Sequence, residues 1–376
     1  MNIKIPKSRF PIINNIEDLL PYIKDKKEIA ISKRSNGTTV VCYNVEDGDT
    51  FSNDYAIECR GIVFDTLSGN IIGRPLHKFF NLGESERTRI ENFNWNEVVA
   101  VWDKLDGSMI TSHRVGKDID FKTKKSFESD TVLLAKAYIK TMPNIYQFCD
   151  EISDDFTPIF EYTSNKKRIV IDFPEEKMTL LHVRHIKTGA YIPFSDPVLK
   201  SLIEKYRINI LTPVDIKKNN GIIDIKALIE YLQEARNMEG YVIQFYDDMV
   251  KVKSSWYRDI HKIVTFMRER DVAKMCLNGT IDDAKAFLVE VGKPLKPVED
   301  IEHKIVTEIN NIISTVSSIK DVEGISPDMK KIAEKYKGHK YFSLIMNAVR
   351  DKENDYIDYY SRNYLKNFSL NEIYFE

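Results

Sequence analysis

In the run VEDIEHKIVTEINNIISTVSSIKD, residues 298–321, the apolar side chains Ile301, Ile305, Ile309, Ile312, Val316 and Ile319 recur at spacings of three and four. That spacing draws one stripe along an α-helix; in a strand, whose sides alternate every second residue, it would scatter the same side chains over both faces. The last third of the chain is thereby committed to helix-on-helix packing. ISPDMKKIAEKY extends it, with Ser326 as an N-cap and Pro327 at the first helical position, and the remaining tail keeps helical spacing with few glycines. We therefore expect an all-helical C-terminal domain over residues 264–376.

Upstream the pattern is different. From about residue 28 to 260, short β-rich runs such as TTVVCYNV, RGIVFDT, EVVAVWDK, SMITSHRV and IDFKTKK are separated by Gly, Asn and Asp turns. Helical patterns interrupt them at DTVLLAKAYIKTM, DPVLKSLIEKY and IDIKALIEYLQEAR. The class is thus α+β, with two stacked antiparallel sheets and flanking helices expected over residues 1–263. No period of 20 to 50 residues suggests a repeat architecture.

Charge and cysteine usage narrow the function classes. Lys and Arg total 55 against 57 for Asp and Glu, a net charge of -2, so no global basic field points to nucleic acid and a polyanion must be met by local patches. Cys42, Cys59, Cys149 and Cys276 form no CxxC pair, which argues against a zinc site or a disulfide framework and for a reducing cytoplasm. No apolar stretch is long enough for a membrane span or a signal peptide, so a soluble intracellular protein is expected. Neither GxxxxGK[ST] nor HExxH occurs. His182 and His185 lie in a strand-like run where a spacing of three puts them on opposite faces, which favours structural or surface roles.

Four short segments could carry chemistry. In VWDKLDGSMI, Lys104 stands at a strand end where a hairpin begins, beside an Asp106-Gly107 turn; alone it reads as a solvated lysine. In MVKVKSSWY, Lys251 and Lys253 share one face of a strand whose valines face the core, which suits either an anion between them or a charged edge. Glu161 in PIFEYTS and Glu239 in NMEGYVI each put a carboxylate into a hydrophobic strand context, where a charge needs a reason.

Taken in order, lysine before Asp-Gly, two glutamates on later strands and a Lys-x-Lys strand resemble the covalent nucleotidyltransferases: ATP-dependent DNA and RNA ligases and mRNA capping enzymes. With Tyr43-Asn44, ECRG at 58–61, KFFNL at 78–82, FKTK at 121–124, EGYV at 239–242 and KVKSSWY at 251–257, the chain is similar to the phage tRNA-repair type of RNA ligase. The likeness spans residues 40–260 and resumes weakly at IDDAKA and RNYLKNF. It implies a nucleotidyltransferase (ATP-grasp-like ligase) domain followed by a helical domain for RNA recognition. It also implies ATP as cosubstrate, with AMP carried covalently on Lys104, and Mg²⁺ (or Mn²⁺). Arg60, Tyr43, Lys78 and Phe80 would contact the nucleotide, and Glu161 and Glu239 would act near the ribose or metal. Lys251 and Lys253 would grip the phosphates, Lys124 and Tyr257 would serve ligation, and Asp282 and Asp283 would lie near a divalent ion. The implied partner is RNA with 5'-phosphate and 3'-hydroxyl ends, such as nicked tRNA, met by a monomer in the cytoplasm, that of the host if the chain is phage-encoded. The rivals are a DNA ligase or capping enzyme, which usually carry a β-barrel after the Lys-x-Lys strand, and a catalytically silent RNA-binding protein, which needs no nucleophile.

The residue types suit such chemistry. A lysine amine has a reference pKa of about 10.4, so making it a nucleophile near neutral pH costs about 4 kcal/mol unless nearby cations disfavour its charge. Cations that do so also stabilise charge developing on phosphorus.

Overall fold

The computed structural model describes residues 2–44, 49–167, 169–216, 218–219, 222–246, 248–258, 267–279, 281–290, 292–325, 328–370 and 373, with all their side chains except those of 218, 219, 283, 286, 287 and 290. The chain separates into two units, Met1–Arg258 and Asp259–Glu376. The boundary expected between residues 263 and 264 lies outside the described residues.

In the first unit the strands run β1 (Ile29–Lys33), β2 (Thr38–Tyr43), β3 (Arg60–Asp65), β4 (Ile71–Gly73), β5 (Phe80–Asn81), β6 (Ala100–Asp103), β7 (Ser108–Val115), β8 (Asp118–Lys122), β9 (Phe156–Thr163), β10 (Lys177–His185), β11 (Tyr191–Ile192), β12 (Lys218–Asn219), β13 (Ile222–Ile223), β14 (Gly240–Gln244) and β15 (Met249–Lys253). They form sheets ordered β1-β2-β3-β4, β11-β10-β9-β7-β8 and β5-β15-β14-β6, plus the β12-β13 ribbon. The class is α+β, but three main sheets replace the expected two, and β5 pairs with β15 in parallel. Helices Asp130–Thr141 and Pro143–Ile152 cover the five-stranded sheet and share its core with Ile110, Phe121, Phe160 and Leu180. Helix Ile225–Glu234 buries Leu228 and Leu232 with Ile243 and Val250 of the sheet containing β14 and β15.

The hairpin expected at Lys104 does not form. β6 pairs with β14, and β7 with β8 and β9, so the Asp106-Gly107 turn passes the chain from one sheet to another. The cause is Asp106, whose buried carboxylate is tied to backbone far along the chain, as described below.

In the second unit the 28-residue helix Lys296–Glu323 buries Val298, Ile305, Ile312 and Val316, and Ile301, Ile309 and Ile319 pack beside them. Tyr341, Leu344, Ile345 and Tyr360 close this core. The helix after it, Met329–Tyr336, takes Asp328 as its N-cap, the carboxylate accepting from the Lys331 amide; Ser326 and Pro327 lie outside the described residues.

The most deeply buried ionic group of the first unit joins two of its sheets. Glu58, just ahead of β3, accepts from Arg74 Nε at 3.0 Å and from both terminal nitrogens of Arg184 on β10, at 2.8 and 2.7 Å. All three side chains are fully buried. Further guanidinium protons go to the carbonyls of Pro11, Pro75, Lys187 and Gly189, so every nitrogen of both guanidinium groups makes a hydrogen bond. Burial alone would push the Glu58 carboxyl up; Arg184 and Arg74 outweigh it and hold the group at about 2.

Removing a carboxylate that compensates two buried cations is costly. Glu58→Gln is expected to destabilise the protein by about 3–5 kcal/mol, measured by urea unfolding at pH 7. Because the carboxyl is depressed in the fold, its contribution is present above the unfolded value near 4.5 and fades as pH falls towards 2. The wild-type advantage should therefore shrink between pH 4.5 and 2; a constant difference would refute the assignment.

Candidate active site

Strand register assembles the core of the site. β14 is the middle strand, with Tyr241 opposite Asp103 of β6 and Gly240 opposite Lys253 of β15. Continuing β6 by one residue brings Lys104 beside Gly240, and the Lys104 amide donates to the Gly240 carbonyl at 2.9 Å. Lys104 and Lys253 thus flank Glu239 on either side. Lys104 Nζ lies 2.7 Å from Glu239 Oε2, and Lys253 Nζ lies 3.0 Å from Oε1. Gly240 is required here: its φ is +143°, and a Cβ would meet the Val252 carbonyl oxygen at 2.0 Å.

The turn after Lys104 is held from behind. Asp106 Oδ2 accepts from the amides of Val170 and Ile171 at 2.8 and 2.7 Å, and Oδ1 accepts from the Tyr257 hydroxyl at 2.6 Å. Gly107 packs so closely on β9 that a Cβ would lie 2.5 Å from the Tyr162 carbonyl oxygen. Lys104 therefore stands on a rigid turn rather than on a solvated loop.

Beside it lies a cavity of about 290 Å³. Its cationic wall is Lys104, Lys251, Lys253, Arg60 and Lys78, while Met109, Leu181, Val242 and Met249 make an apolar slot from facing sheets. Glu161, on β9 opposite Met109, also lines it; among the described residues this buried carboxylate has no hydrogen-bond partner. Burial pushes its carboxyl up to about 8, reinforced by Glu239 and Asp106 and opposed by Lys104 and Arg60. Lys251 is brought down to about 8, first by burial and then by Lys78, Arg60 and Lys104. A cavity with surplus cations on one side and an apolar slot on the other is complementary to a flat, apolar ring bearing phosphates.

Tyr43, Arg60, Lys78, Lys104, Glu161, Lys251 and Lys253 all line this cavity, and Glu239 lies behind two of its lysines. Lys124 sits 3.9 Å over the Tyr43 ring. Tyr257 is buried and meets the site through Asp106. Phe80 carries Lys78 over its ring at 4.7 Å, and its neighbour Phe79 lines the cavity instead. Asp282 is an exposed residue of the second unit, and the Asp283 side chain lies outside the described residues. Among the described residues no group of three or more His, Cys, Asp or Glu side chains is placed to hold a metal ion.

Three further groups escaped the sequence reading. Asp106 could have been found as the acid of the Lys-x-Asp-Gly motif. Lys122 is fully buried next to the Gly61 backbone and gives its ammonium to the carbonyls of Thr123 and Lys124; burial lowers it to about 7. His182, expected to be structural, forms part of the cavity wall, edge-on to Trp102 and Tyr191. A β-bulge between Leu180 and His182 turns it there, and no local pattern announces a bulge.

Comparison with known proteins gives the family of the chain. A family model described as RNA ligase matches residues 58–257, more than half of the chain. A protein of Thermovibrio ammonificans, "Putative RNA ligase", is 26% identical over 341 residues, covering 86% of this chain and 87% of its own. RNA ligase 1 of Bacteriophage TS2126 is 25% identical over 250 residues; the match covers 64% of this chain and 61% of that protein. Among solved structures, an archaeal ATP-dependent RNA ligase is 14% identical over 92% of this chain and 94% of its own, with a TM-score of 0.46.

The buried Glu161 should cost stability when ionised. A carboxyl raised to about 8 in the fold favours the neutral form, so stability is lost as pH rises from the unfolded value near 4.5 to about 8. Glu161→Gln is therefore expected to raise the melting temperature by several degrees at pH 9 and by little at pH 4.5, read by calorimetry. An equal shift at both pH values would show that Glu161 is not held neutral.

Proposed function

Since the chain belongs to the RNA ligase family, we propose that this ATP-dependent RNA ligase joins a 5'-phosphate to a 3'-hydroxyl through lysyl-AMP and RNA-adenylate intermediates. The observation that carries this reading is Lys104, locked beside Glu239 and Lys253 at the edge of a cavity rich in cations. Neither an RNA-binding protein nor a charged sheet edge needs a lysine so placed.

In this reading Lys104 Nζ, relieved of a proton for which Glu239 is the adjacent acceptor, attacks the α-phosphorus of ATP. The bond to the β-phosphate oxygen breaks and pyrophosphate leaves. Lys251, Lys253, Lys78 and Arg60 balance the charge on the phosphates, and Met109, Leu181, Val242 and Met249 enclose the base, with His182 at that end. Burial holds His182 down at about 3, so its ring is neutral and offers the base one donor and one acceptor. The AMP phosphorus then passes from Nζ to an RNA 5'-phosphate oxygen, and attack by a 3'-hydroxyl on that phosphate expels AMP. Glu161, whose buried carboxyl has no hydrogen-bond partner among the described residues, is suited, once it gives up its proton, to hold Mg²⁺ or Mn²⁺ directly or through its waters. When bound, the ion neutralises phosphate charge. Tyr257 and Asp106 position Lys104, and Lys124 and Tyr43 stand at the cavity rim. We extend the reading to nicked tRNA as substrate and to a monomer at work in the cytoplasm. Four free thiols accord with a reducing compartment, and among the described residues no helix is long and apolar enough to cross a membrane.

Incubation with α-labelled ATP and Mg²⁺, followed by a denaturing gel, tests the reading. Wild type should carry the label, whereas Lys104→Ala should not, yet should still seal RNA supplied with a preformed 5'-adenylate. A labelled Lys104→Ala protein would remove Lys104 as the nucleophile.

Lys251→Ala and Lys253→Ala should each slow adenylation by about 2.7–4 kcal/mol of barrier, the usual cost of one lost transition-state donor, while the exposed Lys117→Ala stays within twofold. Phosphate against Lys251 restores the charge that burial disfavours, so ATP binding takes up a proton above pH 8. The Kd for an α,β-methylene analogue should be flat below about pH 7 and weaken above 8, measured by titration calorimetry. Lys251→Ala should flatten the curve.

A further inference from the structure

The second unit has a groove of about 370 Å³ whose lining combines three kinds of chemistry. Lys304, Glu308 and Asn311 stand one helical turn apart on a single face of helix Lys296–Glu323. Across from them, Tyr360 and Tyr364 stack with ring centres 5.1 Å apart at 23°. The Tyr360 hydroxyl donates to Glu308, which fixes that carboxylate in the groove. Lys304 Nζ lies 5.0 Å over the Phe368 ring and Lys340 Nζ 4.5 Å over the Tyr341 ring. Among the described residues neither lysine belongs to an ion pair, and the side-chain amides of Asn311 and Asn367 have no hydrogen-bond partner.

Each feature excludes an alternative occupant. A purely apolar ligand would leave two amides and the second oxygen of the Glu308 carboxylate unsatisfied on its surface. A free phosphate would meet Glu308. A flat base with an amino edge uses all of them: rings for stacking, Glu308 and the two amides for donors and acceptors, and the lysines for flanking phosphates. We propose that this groove holds one unpaired nucleotide of the RNA strand. Its base stacks against Tyr364 and turns an amino edge to Glu308, Asn311 or Asn367, and its flanking phosphates lie against Lys304 and Lys340. The site lies outside residues 58–257, the segment matched by the family model. That the strand is RNA rests on the ligase reading of the first unit.

The test uses the full-length chain and a 5'-phosphorylated single-stranded oligoribonucleotide carrying 5-iodouridine. Enzyme-AMP formation needs no RNA and serves as the internal reference. The double variant Lys304→Ala, Lys340→Ala should adenylate normally and melt at the wild-type temperature. Its Kd for the oligonucleotide should rise at least tenfold, and the slope of log K against log salt should fall by about 0.7 for each lost contact. Tyr364→Leu should weaken binding without changing that slope, which separates stacking from charge. Light-induced cross-links should map to Tyr341 or Tyr364. Unchanged Kd and slope in the double variant, or cross-links confined to the first unit, would overturn the proposal. A wild-type protein that never forms enzyme-AMP but shows these binding changes would sink the ligase reading and leave the groove standing.

Discussion

Two guanidinium groups share one carboxylate where water does not reach: Arg74 and Arg184 on Glu58. An ion so buried is tolerated only when fully paired and hydrogen-bonded, and here the surplus positive charge is spread over four backbone carbonyls. The arrangement is stringent because the partners come from different sheets. It determines where β3 begins, since two residues after Glu58 the chain enters β3 at Arg60, which lines the cavity. Arg60, Lys78 and Phe79 are thus fixed as a group by an interaction in which none of them takes part.

The site itself is the opposite case. Glu161 is buried with no hydrogen-bond partner among the described residues, and Lys251 is half-buried among other cations, so both charges are raised in energy by their surroundings. Such frustration is expected where a polar ligand will complete the electrostatics, and it marks the part of the fold that trades stability for use.

What could be read from the sequence was what depends on near neighbours. The stripe from Ile301 to Ile319 and the alternation of Val250, Lys251, Val252 and Lys253 are local periodicities, and both survive in the fold. The ordered motifs likewise pointed to most of the charged side chains found around the cavity. What could not be read depends on distant pairing. A lysine before Asp-Gly looks like a hairpin, and only the tether from Asp106 to Val170, Ile171 and Tyr257 sends the chain into another sheet. His182 reaches the cavity through a bulge, and Phe79 lines the cavity while Phe80 lies under Lys78. Neither follows from local residue preference.

The central position of β14 has a consequence for biosynthesis. β6 ends at Asp103, but the strand that completes it begins at Gly240, some 140 residues later. At a translation rate of about 5–20 residues per second, Lys104 would wait roughly 7–30 s before Glu239 and Lys253 have been made to stand beside it. Through that interval the nascent chain carries Lys104 without the carboxylate and the second lysine that flank it in the fold. The ion pairs that hold Lys104 therefore form only with the last strands of the domain.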